Sequence, residues 1–355
     1  MTINDIFLCP SYYPDFKCKG SDCRHTCCSG LTINMSQDEY FKLVGLSCSD
    51  KLRQGLDLAL KPLSNPDPYK YAELCHDYFG NCRMLMDNGW CRLQYECGED
   101  VMTYACRYFP RSPRLNIYPR TSCSCGCEET IEMLIDTDLP VSTTKCEFSF
   151  ELAANEKKSE FVTAYELNKI QNVLFEILQD DGLDVDQKIT NIRTYLLSIE
   201  GSFTDTVQNS ANAMKEQVIT IANLLKIAQF ATEQYLTMSE YCNAFISAVT
   251  DNTFFDVIES GKTKLHNMFH NVDKWICKMF VNDIFYNQFP YIGEKISMSQ
   301  AGLLLECEIR LLMALLYSNA GNISNKDNFV DLCMYYFRMV DFTPFSHNAL
   351  VLINN

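Results

Sequence analysis

What this 355-residue chain lacks removes several classes of function at once. Basic side chains are scarce: 30 Lys and Arg stand against 45 Asp and Glu, for a net charge of −15, and they form no basic stripe. Binding to a phosphate backbone is therefore disfavoured and nucleic acid is not an expected partner. The acidic surface serves solubility first, although it also suits a lysine-bearing protein substrate. The 14 glycines never fall as G-x-G, which excludes the glycine turn of doubly wound nucleotide-binding domains. Among the 5 histidines, His266 and His270 have the i, i+4 spacing of zinc proteases, but Asn267 stands where the catalytic glutamate belongs. A surface pair is expected there. No run of about eighteen apolar residues is available to span a bilayer, so no membrane role is expected. The first ten residues, Met1 to Pro10, have no cationic stretch and no apolar run of signal length. A soluble cytoplasmic protein with reduced thiols follows as the expectation.

What the chain has in excess is cysteine. Fifteen of its 19 cysteines lie in the first 150 residues, the other four being Cys242, Cys277, Cys307 and Cys333. The densest group is Cys18-x4-Cys23-x3-Cys27-Cys28. Thiolates this close suit zinc, copper(I) or an iron–sulfur cluster, because sulfur shares charge density with soft cations better than carboxylates or imidazoles do. Disulfide scaffolds belong to small secreted chains without a core, whereas this one is 47% hydrophobic. The C-x3-C-x2-C pattern of radical enzymes is missing, since Gly30 stands three positions after Cys27.

Composition divides the chain near residue 150. Residues 1–150 hold most turn-forming clusters, with Lys61 to Pro68 expected as a loop because Pro62, Pro66 and Pro68 remove donors and extend their predecessors. Ser36-Gln37-Asp38-Glu39 is a capping box, followed by Tyr40, Phe41, Leu43 and Val44 as the expected buried stripe. A short helix is expected over Glu128 to Ile135. From about Ser159 the apolar period is 3.6, with Phe161, Val162, Tyr165, Ile170, Val173, Leu174, Ile177 and Leu178 on one face. Asp180-Asp181-Gly182 closes that helix. Similar patterns cover roughly 185–199, 211–230, 232–249, 268–288, 298–318 and 326–340, with breaks at Gly201-Ser202, Gly261, Phe289-Pro290-Tyr291 and Gly321-Asn322. The expected fold is mainly α: a cysteine-rich, metal-organised N-terminal domain (1–150) with little regular structure, then an all-α helical domain (151–355).

Tyr12-Tyr13-Pro14-Asp15-Phe16-Lys17-Cys18, Cys23-Arg24-His25-Thr26-Cys27-Cys28-Ser29-Gly30, Cys82-Arg83-Met84-Leu85, Gly89-Trp90-Cys91-Arg92-Leu93, Gly98-Glu99-Asp100 and Cys106-Arg107-Tyr108-Phe109-Pro110-Arg111 carry a resemblance. Together they resemble the flagellin lysine-N-methylase family. Cys127-Glu128-Glu129 and the stretch from Phe280-Val281-Asn282-Asp283-Ile284-Phe285 to Phe289-Pro290-Tyr291 are similar to further parts of it. Leu31 stands where the family usually has tryptophan, Met35 where an acidic residue is common, and Phe342 in place of a frequent histidine.

The resemblance implies a cytoplasmic enzyme that methylates lysine ε-amines of flagellin, with S-adenosylmethionine as donor and an iron–sulfur cluster, a 4Fe-4S cluster being the expected form. It also implies the metal ligands: Cys18, Cys23, Cys27, Cys28, Cys82, Cys91, Cys106 and Cys127 sit at motif positions. Eight thiolates exceed the needs of one four-iron cluster, so either a second site such as zinc takes the surplus or some of the eight are packing residues. Cys9, Cys48, Cys75, Cys97 and Cys146 match no motif, and the run Cys123-Ser124-Cys125-Gly126-Cys127 leaves room for a two-residue shift of the ligand. Arg111 is expected in a structural ion pair, with hydrogen bonds to cluster sulfurs or loop carbonyls, or contact to a carboxylate of substrate or donor, as alternatives. A lysine amine with an ordinary pKa near 10.4 must lose its proton before it attacks the sulfonium methyl, and no residue is assigned to that step. The rival readings are a metal scaffold without activity and a redox-sensing or electron-transfer protein.

Overall fold

Along Thr143 to Phe150 exposure alternates strictly, with Thr144, Cys146, Phe148 and Phe150 turned inward and Thr143, Lys145, Glu147 and Ser149 exposed. That period of two is the mark of a half-buried strand. In the computed structural model, which describes residues 2–151, 162–200, 218–291 and 296–354, this strand pairs antiparallel with the start of the chain. The partner is β1 (Thr2–Pro10), in register from Thr2 opposite Glu151 to Pro10 opposite Thr143. Phe7 is fully buried between them, edge-on to Phe150 at 5.0 Å, and Tyr13 meets Phe148 edge-on at 5.2 Å. The N-terminal region thus carries more regular structure than its composition suggested.

The remaining elements of this part are short: β2 (Ile33–Met35), α1 (Gln37–Val44), α2 (Asp50–Ala59), β3 (Leu60–Pro62), β4 (Ala72–Leu74), α3 (Arg92–Cys97), α4 (Tyr104–Tyr108), α5 (Glu128–Ile135) and the strand just described, β5 (Thr143–Glu151). The capping box of α1 forms as the sequence indicates: Ser36 Oγ accepts from the Glu39 amide at 3.3 Å, and Glu39 Oε2 accepts from the Ser36 amide at 2.7 Å. The other Glu39 oxygen accepts from the Tyr104 amide at 2.7 Å, which ties α1 to the start of α4. Of the expected stripe on α1 only Leu43 is buried, whereas Phe41 and Val44 are largely exposed. Lys61 and Pro62 belong to the edge strand β3, so the expected loop begins two residues later, at Leu63. Proline is tolerated at an edge because its missing donor would face no partner strand. Met35, Leu43, Leu52, Leu56, Met84 and Leu93 centre a small core, and Cys82, Cys91 and Cys106 pack against it.

After residue 161 every named element among the described residues is helical: α6 (Ala164–Leu178), α7 (Val185–Ile199), α8 (Ile221–Gln234), α9 (Ser239–Thr250), α10 (Phe254–Met268), α11 (Val272–Tyr286), α12 (Met298–Ser318), α13 (Lys326–Phe342) and α14 (Phe345–Asn354), apart from a single 3-10 turn at Leu236–Met238. The molecule is mainly helical. Reciprocal caps open four of these helices, with Thr163 and Glu166, Asp184 and Gln187, Thr220 and Asn223, and Ser297 and Gln300 as the pairs. α6 starts later than its periodicity suggested, at Ala164, and Tyr165 on it is exposed; the buried stripe is Leu167, Ile170, Leu174 and Leu178. Gly201-Ser202 and the first part of the 211–230 pattern lie outside the described residues. α12 is apolar nearly all round and forms the centre, with α7, α9, α10, α13 and α14 packed on it.

Gly261 corrects an expectation. It does not break a helix but lies in the middle of α10, where an added Cβ would stand 2.0 Å from the Tyr317 carbonyl oxygen. The residue is small because two backbones meet there. Two units result: Met1–Thr130 with Thr143–Phe161, and Ile131–Ser142 with Val162–Asn355. Among the described residues no helix is long and apolar enough to cross a membrane.

Candidate functional site

The thiols of the first unit are carried on turns whose conformation depends on glycine. Gly20, between Cys18 and Cys23, has φ +61°, and a Cβ there would meet the Trp90 ring at 3.2 Å. Gly89, two residues before Cys91, has φ +81° and stands where a Cβ would meet Ser21 at 3.3 Å. Glycine at both places lets the loop bearing Cys18 and Cys23 lie directly on the loop bearing Cys91. The Gly20 amide donates to Cys18 Sγ at 3.4 Å. Farther on, the Cys82 amide donates to the Cys28 carbonyl at 2.7 Å and the Leu85 amide to the Cys82 carbonyl at 2.9 Å. Leu85 also bridges to Cys91, which immediately precedes α3. Cys106 lies in α4, opened by Thr103, whose hydroxyl accepts from the Cys106 amide at 3.3 Å.

Cys127 reaches the same region through its neighbour. Glu128, 1% exposed at the start of α5, accepts from the amides of Arg24 at 3.1 Å and His25 at 3.0 Å. It also pairs with Lys19 Nζ at 3.2 Å and Arg24 Nη1 at 3.8 Å. Burial alone would raise this carboxyl, but the two amides and two cations outweigh it and hold the group below the ordinary glutamate range. The clamp was not foreseen, although an acid in the first turn of the α5 helix was visible in the sequence. Replacing Glu128 by alanine is expected to cost about 2–3 kcal/mol, the scale of losing charged hydrogen bonds at a buried carboxylate. Thermal unfolding of the metal-free chain measures it, and a cost under about 0.5 kcal/mol, as at an ordinary surface site, would show that the clamp holds nothing.

Seven of the eight candidate ligands, Cys18, Cys23, Cys27, Cys28, Cys82, Cys91 and Cys106, line one cavity of about 140 Å³. Cys127 does not line it, although its thiol, after Glu128, helps to raise that of Cys23. A water occupies about 30 Å³ in the liquid, so the cavity has room for a group of several atoms. Among the described residues no three His, Cys, Asp or Glu side chains already form a cage around a single ion.

Burial pushes the thiols of Cys23, Cys82 and Cys106 up to about 12, with neighbouring sulfurs adding to the effect. Cys27 is raised first by its hydrogen bond with Cys28 and then by burial. Such thiols ionise together only if a cation balances them, which is what a metal supplies. Arg111 also lines the cavity and lies over the Phe16 ring at 5.9 Å. Its Nε is buried with no hydrogen-bond partner among the described residues. An orphaned cationic donor on a wall of thiols fits a group that is anionic once its sulfurs ionise.

Cys123 and Cys125 are fully buried and do not line this cavity, nor do Cys9, Cys48, Cys75, Cys97 and Cys146. Leu31, the departure from tryptophan, is on the cavity wall, and Met35 is in the adjoining core. The helix bearing His266 ends at Met268, so His270 falls beyond it, and His266 Nε2 instead approaches Asp273 at 3.3 Å.

A second cavity, of about 220 Å³, lies within the helical unit. Asp283 of α11, Glu308 of α12 and Asp341 of α13 converge on it, with His347 on its rim. Asn287 Nδ2 donates to Asp283 and to Asp341, each at 3.0 Å. Burial, then the Asp341 and Glu308 charges, hold the Asp283 carboxyl well above its usual range. Burial, then Asp341, push Glu308 up to about 8. A carboxyl set this way exchanges its proton near neutral pH. The only sequence signal was one acid on each of three otherwise apolar helix faces.

Comparison with known proteins bears out the family resemblance. Two proteins named lysine-N-methylase, from Salmonella typhimurium LT2 and Salmonella choleraesuis SC-B67, are each 28% identical to this chain over 131 residues, 36% of this chain and 32% of theirs. The flagellar biosynthetic protein FliU of Salmonella muenchen is 27% identical over 142 residues, 39% of this chain and 83% of that protein. The match spans about a third of the length of the two methylases. No family model matches the chain, and no solved structure matches it.

Proposed function

We propose that this chain is a protein-lysine N-methyltransferase acting on flagellin, with S-adenosylmethionine as methyl donor and an iron–sulfur cluster, four-iron in form, among its N-terminal thiols. The observation that carries the reading is its similarity to proteins named lysine-N-methylase and to a flagellar biosynthetic protein. The cavity lined by seven cysteines and the orphaned Arg111 Nε support the cluster. When bound, the cluster would supply the positive charge that lets buried thiols ionise and would bind separate loops into one fold.

The chain's own residues account for the proton. A lysine ammonium must give one up before its lone pair can attack the sulfonium methyl in line. Glu308, with Asp283 and Asp341 beside it, ionises only near pH 8, where its carboxylate could take up that proton. Reconstituted protein is expected to bind S-adenosylmethionine in a calorimeter and to add steps of one methylene to unassembled flagellin, faster as pH rises through about 8. Metal-loaded protein that neither binds the donor nor changes the mass of flagellin would overturn the methylase reading and leave a thiol-held metal scaffold in its place.

A further inference from the structure

Lys188 stands in the buried stripe of α7, among Val185, Ile189, Ile192 and Leu196, and is only 6% exposed. A buried ammonium needs a carboxylate or a set of hydrogen bonds to offset the loss of water. The acids of the neighbourhood are engaged elsewhere. Asp181 meets Lys274 Nζ at 3.5 Å, while Asp273 meets His266 Nε2 at 3.3 Å and accepts from the Tyr317 hydroxyl at 3.4 Å. Among the described residues Lys188 has no ion pair, and its Nζ has one hydrogen-bond partner, the sulfur of Cys277 at 3.7 Å. Cys277 lies on α11 and is itself buried. Burial pushes its thiol up, and the Lys188 cation beside it pulls it back in part. The other cysteines of the helical unit have no such neighbour: Cys242 and Cys333 are fully buried, and Cys307 is flanked by the charges of Glu308 and Glu306.

We infer that Lys188 and Cys277 form a peroxide-responsive pair, which oxidation closes into a covalent link between α7 and α11. In the first step Cys277 Sγ attacks one oxygen of hydrogen peroxide. The O–O bond breaks, an S–O bond forms, and a sulfenic acid and one water result. In the second step the neutral amine of Lys188, the nucleophile already in contact with that sulfur, forms an N–S bond as the S–O bond breaks. The departing hydroxyl takes an amine proton and leaves as a second water. Sulfur has then given up two electrons, one peroxide has become two waters, and a sulfenamide joins the helices. The helix so pinned is the one that carries Asp283 to the acidic cavity. The pair depends neither on the thiols of the N-terminal unit nor on methyl transfer.

The test treats the reduced full chain with hydrogen peroxide, digests it with a protease that cuts after glutamate, and maps the peptides by mass. A joined pair of peptides carrying Lys188 and Cys277, lighter than the sum of its parts by two hydrogens, is expected, and dithiothreitol should release it. A link that also holds one oxygen, taken from a second peroxide, supports the pair equally. Cys242 and Cys333 are expected back as free thiols from the same sample. Because the link closes 89 residues of chain, it should raise the thermal midpoint of the helical unit by roughly 5–15 °C. Lys188→Arg keeps the cation but not the amine, and is expected to abolish both the joined peptides and the rise. Recovery of Cys277 as a free thiol or a sulfinic acid, in a sample whose N-terminal thiols are oxidised, overturns the proposal. So does a link from Cys277 to any other residue. Both outcomes are read on the native chain, so they stand even if the variant folds poorly.

Discussion

Replacing Gly261 by alanine will lower the thermal midpoint of the helical unit by roughly 6–12 °C, on the scale of 2–4 °C per kcal/mol for a unit of this size. Alanine is the better helix former by about 1 kcal/mol, so on propensity alone the change would stabilise α10. The added methyl, however, would stand 2.0 Å from the Tyr317 carbonyl oxygen and 2.8 Å from its carbon. Both are backbone atoms of the end of α12, so no side chain can rotate away, and relief requires the two helices to separate. Overpacking of ordinary core sites costs about 1–3 kcal/mol. A backbone-on-backbone clash in the centre of the unit is expected at about 3 kcal/mol net or above. Gly321→Ala is the control, because nothing lies within 4 Å of its would-be Cβ, and its midpoint should move by less than the equivalent of about 0.5 kcal/mol. An unchanged midpoint in Gly261→Ala would disprove the close crossing.

The second large effect concerns pH. Glu308 has an ordinary value of 4.5 and is pushed up to about 8 in the fold. Between those values the folded chain keeps a proton that the unfolded chain has released, so the folded state binds more protons and stability falls as pH rises. The contribution is complete below about 4.5 and is lost as pH passes through about 8. At 1.36 kcal/mol per unit the full swing is on the order of 4–5 kcal/mol. Glu308→Gln keeps the shape, removes the titration, and is expected to flatten this part of the profile. Above pH 8 the variant should therefore be more stable than the native chain, a rare sign for a substitution in a core. Denaturant midpoints of the full chain from pH 5 to 9 measure both curves. Parallel curves would mean that Glu308 is ionised in the fold and that the carboxyls do not repel one another as described.

Local signals were the most legible. Ser36 and Glu39 announced a helix start because the capping box is satisfied within four residues. Gly261 was misread because its reason lies across a helix crossing, in Tyr317, and not in its own neighbours. The strand from Thr143 to Glu151 was not read from the sequence, and its partner begins at Thr2, a pairing too distant for any local pattern to reveal. The thiols could be counted from sequence, but the clamp on the loop between Cys23 and Cys27 could not be seen there, since it comes from Glu128 far along the chain. The acids at 283, 308 and 341 each looked like an isolated polar residue until three helices brought them to one cavity. Leu31, noted first as a departure from a motif, now has a place on the wall of the thiol cavity, where a change of shape bears directly on what the cavity can hold.

The pairing of β1 with β5 also fixes an order of events in the living cell. Pro10 finds its partner in Thr143 and Thr2 finds its partner in Glu151, so the ladder cannot begin until the ribosome has delivered the stretch that follows every candidate ligand. At about 5–20 residues per second, that delivery takes on the order of ten seconds. Through that interval the thiols from Cys18 to Cys127 emerge one after another while β1 still has no partner strand. β1 therefore stays an unpaired edge, open to any other strand, for as long as β5 is awaited.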